Sequence, residues 1–273
     1  MTHGSAGWLA VGTGPFVLTS ADGSTWRSAG AIAHDLAGVP AVHAASGPGG
    51  YVLAGEVAQP GGGYLPDVWW SRDPTSWVQA QYPNDTSGSS QVLAVAAGPS
   101  GFVSAGSHDN QPAVWTTHDG RAWTTTSLRL PAGASAGVIQ QVAVNGSRVV
   151  ALGQQTTADG IRPLAEQSSD GGLTWQLVPF SAPGPGLNFT ALTASPSGFT
   201  AAAQFGPAGG DLDAAVWTSA DGANWTRSTV SGLTGGSSHD LTALAPSGTT
   251  VTGIDSVQTQ ATQQFVVRRL PAG

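Results

Sequence analysis

One short pattern returns five times and constrains this chain more than any other feature. The copies are Ser20-Ala-Asp22-Gly23-Ser-Thr-Trp26, Ser71-Arg-Asp73-Pro74-Thr-Ser-Trp77, Thr117-His-Asp119-Gly120-Arg-Ala-Trp123, Ser168-Ser-Asp170-Gly171-Gly-Leu-Thr-Trp175 and Ser219-Ala-Asp221-Gly222-Ala-Asn-Trp225. Their aspartates lie 51, 46, 51 and 51 residues apart. Two residues ahead of each copy stand Leu18, Trp69, Trp115, Glu166 and Trp217, so the strand leading into the turn repeats too. Every member of that set except Glu166 is large and apolar.

A second pattern marks another strand. Its six copies are Gly7–Gly12, Gly50–Gly55, Gly101–Gly106, Ser147–Gly153, Gly198–Ala203 and Gly248–Gly253, each short, rich in β-branched or aromatic residues and bounded by turn formers. Five follow a further strand-like run (39–45, 92–97, 141–144, 189–194 and 241–245) through a tight Gly-, Pro- or Asn-containing turn. The unit is therefore four antiparallel strands a, b, c and d, with the aspartate turn joining c to d. A period near 50 residues with four strands per unit predicts a β-propeller. Six blades are expected in one domain, at 1–30, 31–83, 84–130, 131–180, 181–230 and 231–273. The first is expected to lack strand a and the last strand d, so part of a truncated seven-bladed ring is the alternative.

The five turns resemble the Asp-boxes of sialidase-like, BNR-repeat propellers, and 168–175 fits that pattern to the residue. In that family the box is a folding element. The resemblance implies structural roles for Asp22, Trp26, Asp73, Trp77, Asp119, Trp123, Asp170, Trp175, Asp221 and Trp225. The physics agrees, because an aspartate side chain caps turn amides and a tryptophan buries roughly 150–250 Å². Sialidase activity would further imply three arginines around a carboxylate, a tyrosine nucleophile assisted by a glutamate, and an acidic aspartate. In this chain Arg72 and Arg121 fall in boxes, Arg27 and Arg227 follow them, and Arg148 sits at an a–b turn. Three convergent arginines are not assembled, and Tyr64 has only Glu56 as a partner.

Meander topology puts the aspartate turns and a–b turns at one end of each sheet and the b–c and d–a loops at the other. The second end is the expected working face. Its candidate ligand-binding residues are Glu56, Tyr64, Asp67, His108, Asp109, Asp159 and Arg162 from b–c loops, with His34, Asp35, Tyr82, Arg129, His239 and Asp240 from d–a loops. Three His-Asp dipeptides in that set carry metal-binding groups. They are also ordinary loop formers, and no metal, cofactor or catalytic residue is assigned. No Ser/His/Asp grouping has a nucleophile-elbow context.

Composition narrows the partners. A net charge of −7 argues against nucleic acid, and no run is long and apolar enough to span a bilayer. The absence of cysteine removes disulfides and thiolate chemistry. Taken together these features predict a monomeric, non-catalytic recognition or scaffold module outside the cytoplasm, binding a protein or glycan. A glycosidase on the same face is the alternative.

Overall fold

A computed structural model describes residues 1–273 except 13–15, 30, 31, 33–35, 37, 38, 40, 41, 84–87, 249, 260, 261 and 273. Candidates His34 and Asp35 lie outside the described residues. The fold is all-β, a β-propeller of six blades, and the chain divides into two compact units, Met1–Leu128 and Arg129–Gly273. Each unit contains three blades.

In the first unit, blade one is β1 (Thr2–Gly4), β2 (Gly7–Gly12), β3 (Phe16–Ser20) and β4 (Arg27–Ser28). Blade two is β5 (Val42–Gly47), β6 (Gly50–Ala58), β7 (Tyr64–Ser71) and β8 (Val78–Gln79). Blade three is β9 (Ser90–Gly98), β10 (Gly101–His108), β11 (Gln111–Thr117) and β12 (Thr124–Ser127). In the second unit, blade four is β13 (Ala134–Asn145), β14 (Arg148–Thr157), β15 (Gly160–Ser168) and β16 (Gln176–Leu177). Blade five is β17 (Asn188–Ser195), β18 (Gly198–Phe205), β19 (Asp213–Ser219) and β20 (Thr226–Ser228). Blade six has three strands, β21 (Ser238–Ser247), β22 (Thr250–Gln258) and β23 (Gln263–Pro271). Every neighbouring pair is antiparallel in chain order.

Blade one corrects the expectation that it lacks its first strand. Thr2, His3 and Gly4 pair with Leu9, Trp8 and Gly7. Three residues are too few to show an alternating pattern, so the strand is invisible without its partner. β13, β17 and β21 also begin earlier than expected, β13 at Ala134 rather than residue 141. Register shifts at Ile139/Gln141, Phe189/Ala191 and Leu241/Ala243 explain this, because a bulge breaks the period-two signal. The bulged side chains reach the next blade: Gln140 accepts from the Phe189 amide (3.1 Å), and Thr190 donates to the Leu241 carbonyl (2.8 Å).

The aspartate turns close themselves. Asp22 accepts from the amides of Ser24 and Thr25 at 2.9 and 2.7 Å, and Asp221 repeats this with Ala223 and Asn224 at 2.9 and 2.8 Å. The indole N–H of Trp26, Trp123, Trp175 and Trp225 donates to the carbonyl of Gly23, Gly120, Gly172 and Gly222. Trp77 breaks the series. Its turn carries Pro74 where others have glycine, and its indole nitrogen is buried with no partner among the described residues. The glycine that opens strand b belongs to the same device. Gly7, Gly50 and Gly101 have φ of 122, 114 and 125°, and a side chain there would strike the carbonyl oxygen of Ser20, Ser71 or Thr117.

Within each unit, successive blades bury facing sides against each other. Blades two and three share Val52, Ala54, Trp70, Phe102 and Trp115; blades four and five share Val150, Leu152, Phe189, Phe199 and Trp217. The position five residues beyond Trp77, Trp123, Trp175 and Trp225 also turns inward. Tyr82 and Leu128 are buried, while Phe180 and Val230 pack against clusters as partly buried residues.

Candidate functional site

In the first unit, three sequence candidates meet. Strands β10 and β11 are joined by Asp109-Asn110 with φ of 49 and 63°, a two-residue turn of the kind whose twist suits a hairpin. That turn aims Asp109 back at the start of β9. Its Oδ1 accepts from the Ser89 amide (2.8 Å), and its own amide donates to the Ser89 carbonyl (2.8 Å). Ser89 Oγ accepts from the Tyr64 amide (3.0 Å), and Ser90 Oγ bonds to His108 Nδ1 (2.7 Å). The His108 and Asp109 side chains are 27% and 58% exposed, with Nε2 and Oδ2 3.9 Å apart. The Tyr64 backbone amide and the His108 and Asp109 side chains thus meet at Ser89-Ser90 at the loop end of blades two and three.

Other first-unit candidates have structural partners. Glu56 reaches from β6 to accept from the Val92 amide in the next blade (2.9 Å), and burial pushes its carboxyl above the usual range despite that bond. Asp67 is buried in β7 and accepts from Trp69 Nε1 (3.0 Å) and Gln79 Nε2 (3.1 Å). Tyr82 does not stand on a loop surface. It packs between Trp115 and Trp123, with ring centroids 5.3 and 5.4 Å away, and its hydroxyl meets Ser104 Oγ at 2.7 Å. The five-residue offset from Trp77 is the sequence signal that would have placed it there.

In the second unit, Arg129, Asp159 and Arg162 are exposed, and their side chains make no hydrogen bond or ion pair to a described residue. His239 and Asp240 belong to a different environment. They begin β21, and His239 is 5% exposed. Its Nδ1 lies 3.1 Å from Oδ2 of Asp255, a fully buried residue of β22, and its Nε2 lies 3.2 Å from Ser237 Oγ. Arg268 of β23 donates to the same Asp255 oxygen from Nε (3.0 Å) and Nη2 (2.8 Å), and to the Gly232 carbonyl (2.7 Å). Burial, then the nearby Asp255 charge, raises the Asp240 carboxyl above its ordinary value. Its Oδ1 and Asp255 Oδ1 are buried without partners among the described residues.

Sequence reading selected His239 and Asp240 and missed Ser237, Asp255 and Arg268 as members of one cluster. The available signal was an aspartate within a strand, flanked by Ile254 and two residues after Gly253. No group of three or more His, Asp or Glu among the described residues is arranged to hold a metal ion. Two open clefts, of about 440 and 570 Å³, lie beside aspartate turns rather than at these loop ends. One is lined by Asp22, Arg27 and Asp73, the other by Pro179, Asn224 and Trp225.

No protein-family model matches the chain, and no curated protein matches it in sequence. Similarity appears among solved structures. The hydrazine synthase of Kuenenia stuttgartiensis is 13% identical, with 100% of this chain and 86% of that one covered and a TM-score of 0.56. TolB from Acinetobacter baumannii is 14% identical, with 96% and 63% covered and a TM-score of 0.49. A GH32 β-fructofuranosidase from Bombyx mori is 8% identical, with 84% of this chain and 60% of that one covered and a TM-score of 0.48. This chain therefore spans about three-fifths of the fructofuranosidase, and at these identities the likeness is one of fold alone.

Proposed function

We propose that this chain is a recognition or scaffold module that binds a protein or glycan at its loop-rich face and works outside the cytoplasm as a monomer. The observation that carries this reading is the convergence of Tyr64, His108 and Asp109 on Ser89-Ser90. The cluster offers an imidazole and a carboxylate on one partly exposed surface, with Tyr64 tied to it through its backbone amide. His108 Nε2 and Asp109 Oδ2 face each other at 3.9 Å on a partly exposed surface, where a ligand can compete for both. The five turns are read as Asp-boxes of the sialidase-like family, which speaks for shared architecture rather than shared chemistry.

Most glycoside hydrolases flank the scissile bond with two carboxylates. Glu56 is engaged with the Val92 amide and Asp67 with Trp69 and Gln79, and these commitments favour binding over hydrolysis. A glycan array and a displayed-peptide library test the reading directly. A binder should weaken by about tenfold or more in Tyr64→Ala and His108→Ala, about 1.4 kcal/mol each. Undiminished binding in the double variant would overturn the proposal. Turnover across a chromogenic-glycoside panel would favour the hydrolase instead.

A further inference from the structure

We propose that Ser237, His239 and Asp255 form an acyl-transfer site, with Ser237 as nucleophile, His239 as general base and Asp255 as the group that orients the imidazole. This goes beyond the recognition reading. It concerns the other unit and adds chemistry to a chain whose sequence reads as non-catalytic.

The geometry contains both hydrogen bonds such a site requires. Ser237 Oγ is 3.2 Å from His239 Nε2, and His239 Nδ1 is 3.1 Å from Asp255 Oδ2. A carboxylate only accepts, so Nδ1 carries the proton and Nε2 presents its lone pair to the Ser237 hydroxyl. The order of roles is that of a serine hydrolase: nucleophile to base, base to orienting acid.

Each member is held from more than one side. Arg268 fixes Asp255 through two donors and is itself anchored on the Gly232 carbonyl. The His239 amide donates to the Leu212 carbonyl (2.8 Å), and its carbonyl accepts from Gln204 Nε2 (2.8 Å). Ser237 arrives on Gly235 and Gly236, whose φ values of 78 and 74° suit glycine, and the Gly235 amide is tied to Asp213 Oδ1 (2.8 Å). Such fixed supports give a nucleophile its geometry before substrate arrives. Ser237 is half-buried while His239 and Asp255 are buried, so the hydroxyl is the member a substrate can reach.

The substrate class is an uncharged ester. Arg268 is already committed to Asp255 and Gly232, which leaves the cluster without a cation for an anionic substrate. Ser237 Oγ attacks the ester carbonyl carbon, forming a C–O bond as its proton passes to His239 Nε2. Collapse of the tetrahedral adduct breaks the ester C–O bond, and that proton leaves with the alkoxide as the alcohol. Water then attacks acyl-Ser237 and gives a proton to Nε2. Release of the acid returns that proton to Ser237 Oγ.

The whole chain is treated with a fluorophosphonate probe and, separately, with p-nitrophenyl acetate. The expected result is one adduct, mapped to Ser237 by peptide mass spectrometry, and ester turnover above the uncatalysed rate. Turnover should fall by about 10²-fold or more in Ser237→Ala and His239→Gln, the lower range for loss of a positioned base. Ser237→Ala removes only a half-buried hydroxyl, and an unchanged melting temperature confirms its fold. No adduct at Ser237 under excess probe, an adduct elsewhere, or equal turnover in Ser237→Ala would each overturn the proposal. Binding at Tyr64 and His108 is measured in the same variants, so the two readings fail independently.

Discussion

The two polar clusters use the same residue types in opposite ways. Around Ser89-Ser90, His108 and Asp109 belong to one hairpin, bond to the Ser90 hydroxyl and the Ser89 amide, and remain partly exposed. In blade six, His239 and Asp255 come from different strands, bond side chain to side chain and are buried. An exposed histidine and aspartate form a surface that a ligand can compete for. The buried pair forms a fixed device, because removing one partner leaves the others desolvated and unpaired.

The largest expected effect lies in the buried cluster. Asp255→Ala strands the Arg268 guanidinium and the His239 imidazole, and should cost about 3–5 kcal/mol of stability in urea unfolding. The same change at Asp109 should cost about 1 kcal/mol, since it removes one acceptor at an exposed turn. Equal costs would erase the contrast between the clusters.

Glu166 sharpens the comparison as a buried carboxylate without Asp255's donors. It is 2% exposed, its Oε1 has no partner among the described residues, and burial raises its carboxyl to about 7. From its ordinary 4.5 up to about 7, the unfolded chain is ionised while the native carboxyl keeps its proton. Stability from this group is therefore intact below about 4.5 and declines as pH rises to about 7, by on the order of 2 kcal/mol after allowance for screening. Glu166→Gln should flatten that decline in melts at pH 5 and pH 8, and an unchanged slope would refute it.

Tyr82→Phe isolates a single buried hydrogen bond. Ser104 is fully buried and would lose its partner, at a cost of about 1–2 kcal/mol by thermal melt. No loss would show that Ser104 finds another acceptor. The smallest effects belong to the exposed aspartate turns. The Thr174 hydroxyl, then its amide, hold the Asp170 carboxyl down at about 2. The contribution of Asp170 is present above the usual carboxylate range and fades as pH falls toward about 2. Asp170→Asn should weaken that acid sensitivity slightly, read as a smaller drop in melting temperature between pH 5 and pH 3.

Much of the fold was legible because its signals are local. The aspartate turn, its tryptophan and the glycine opening strand b recur within one blade, so a period near 50 residues exposes them. What stayed hidden involved breaks in local pattern or contacts with a second element. The bulge at Ile139/Gln141 concealed half of β13, and Thr2–Gly4 shows as a strand only beside β2. Tyr82 read as a loop residue because its neighbours are loop formers, although its offset from Trp77 matches that of Phe180 from Trp175.

The sequence by itself determined the repeating meander, the number of blades and which turns close them, since these rest on hydrogen bonds within about seven residues and on strand alternation. Only the tertiary structure decided which of many Asp, His and Ser residues meet. His239, Asp255 and Arg268 join through the register of β21, β22 and β23, where Leu241 pairs with Asp255 and Gly253 with Arg268. Diagonal neighbours across strands have no fixed sequence spacing, so no periodicity in the chain announces them.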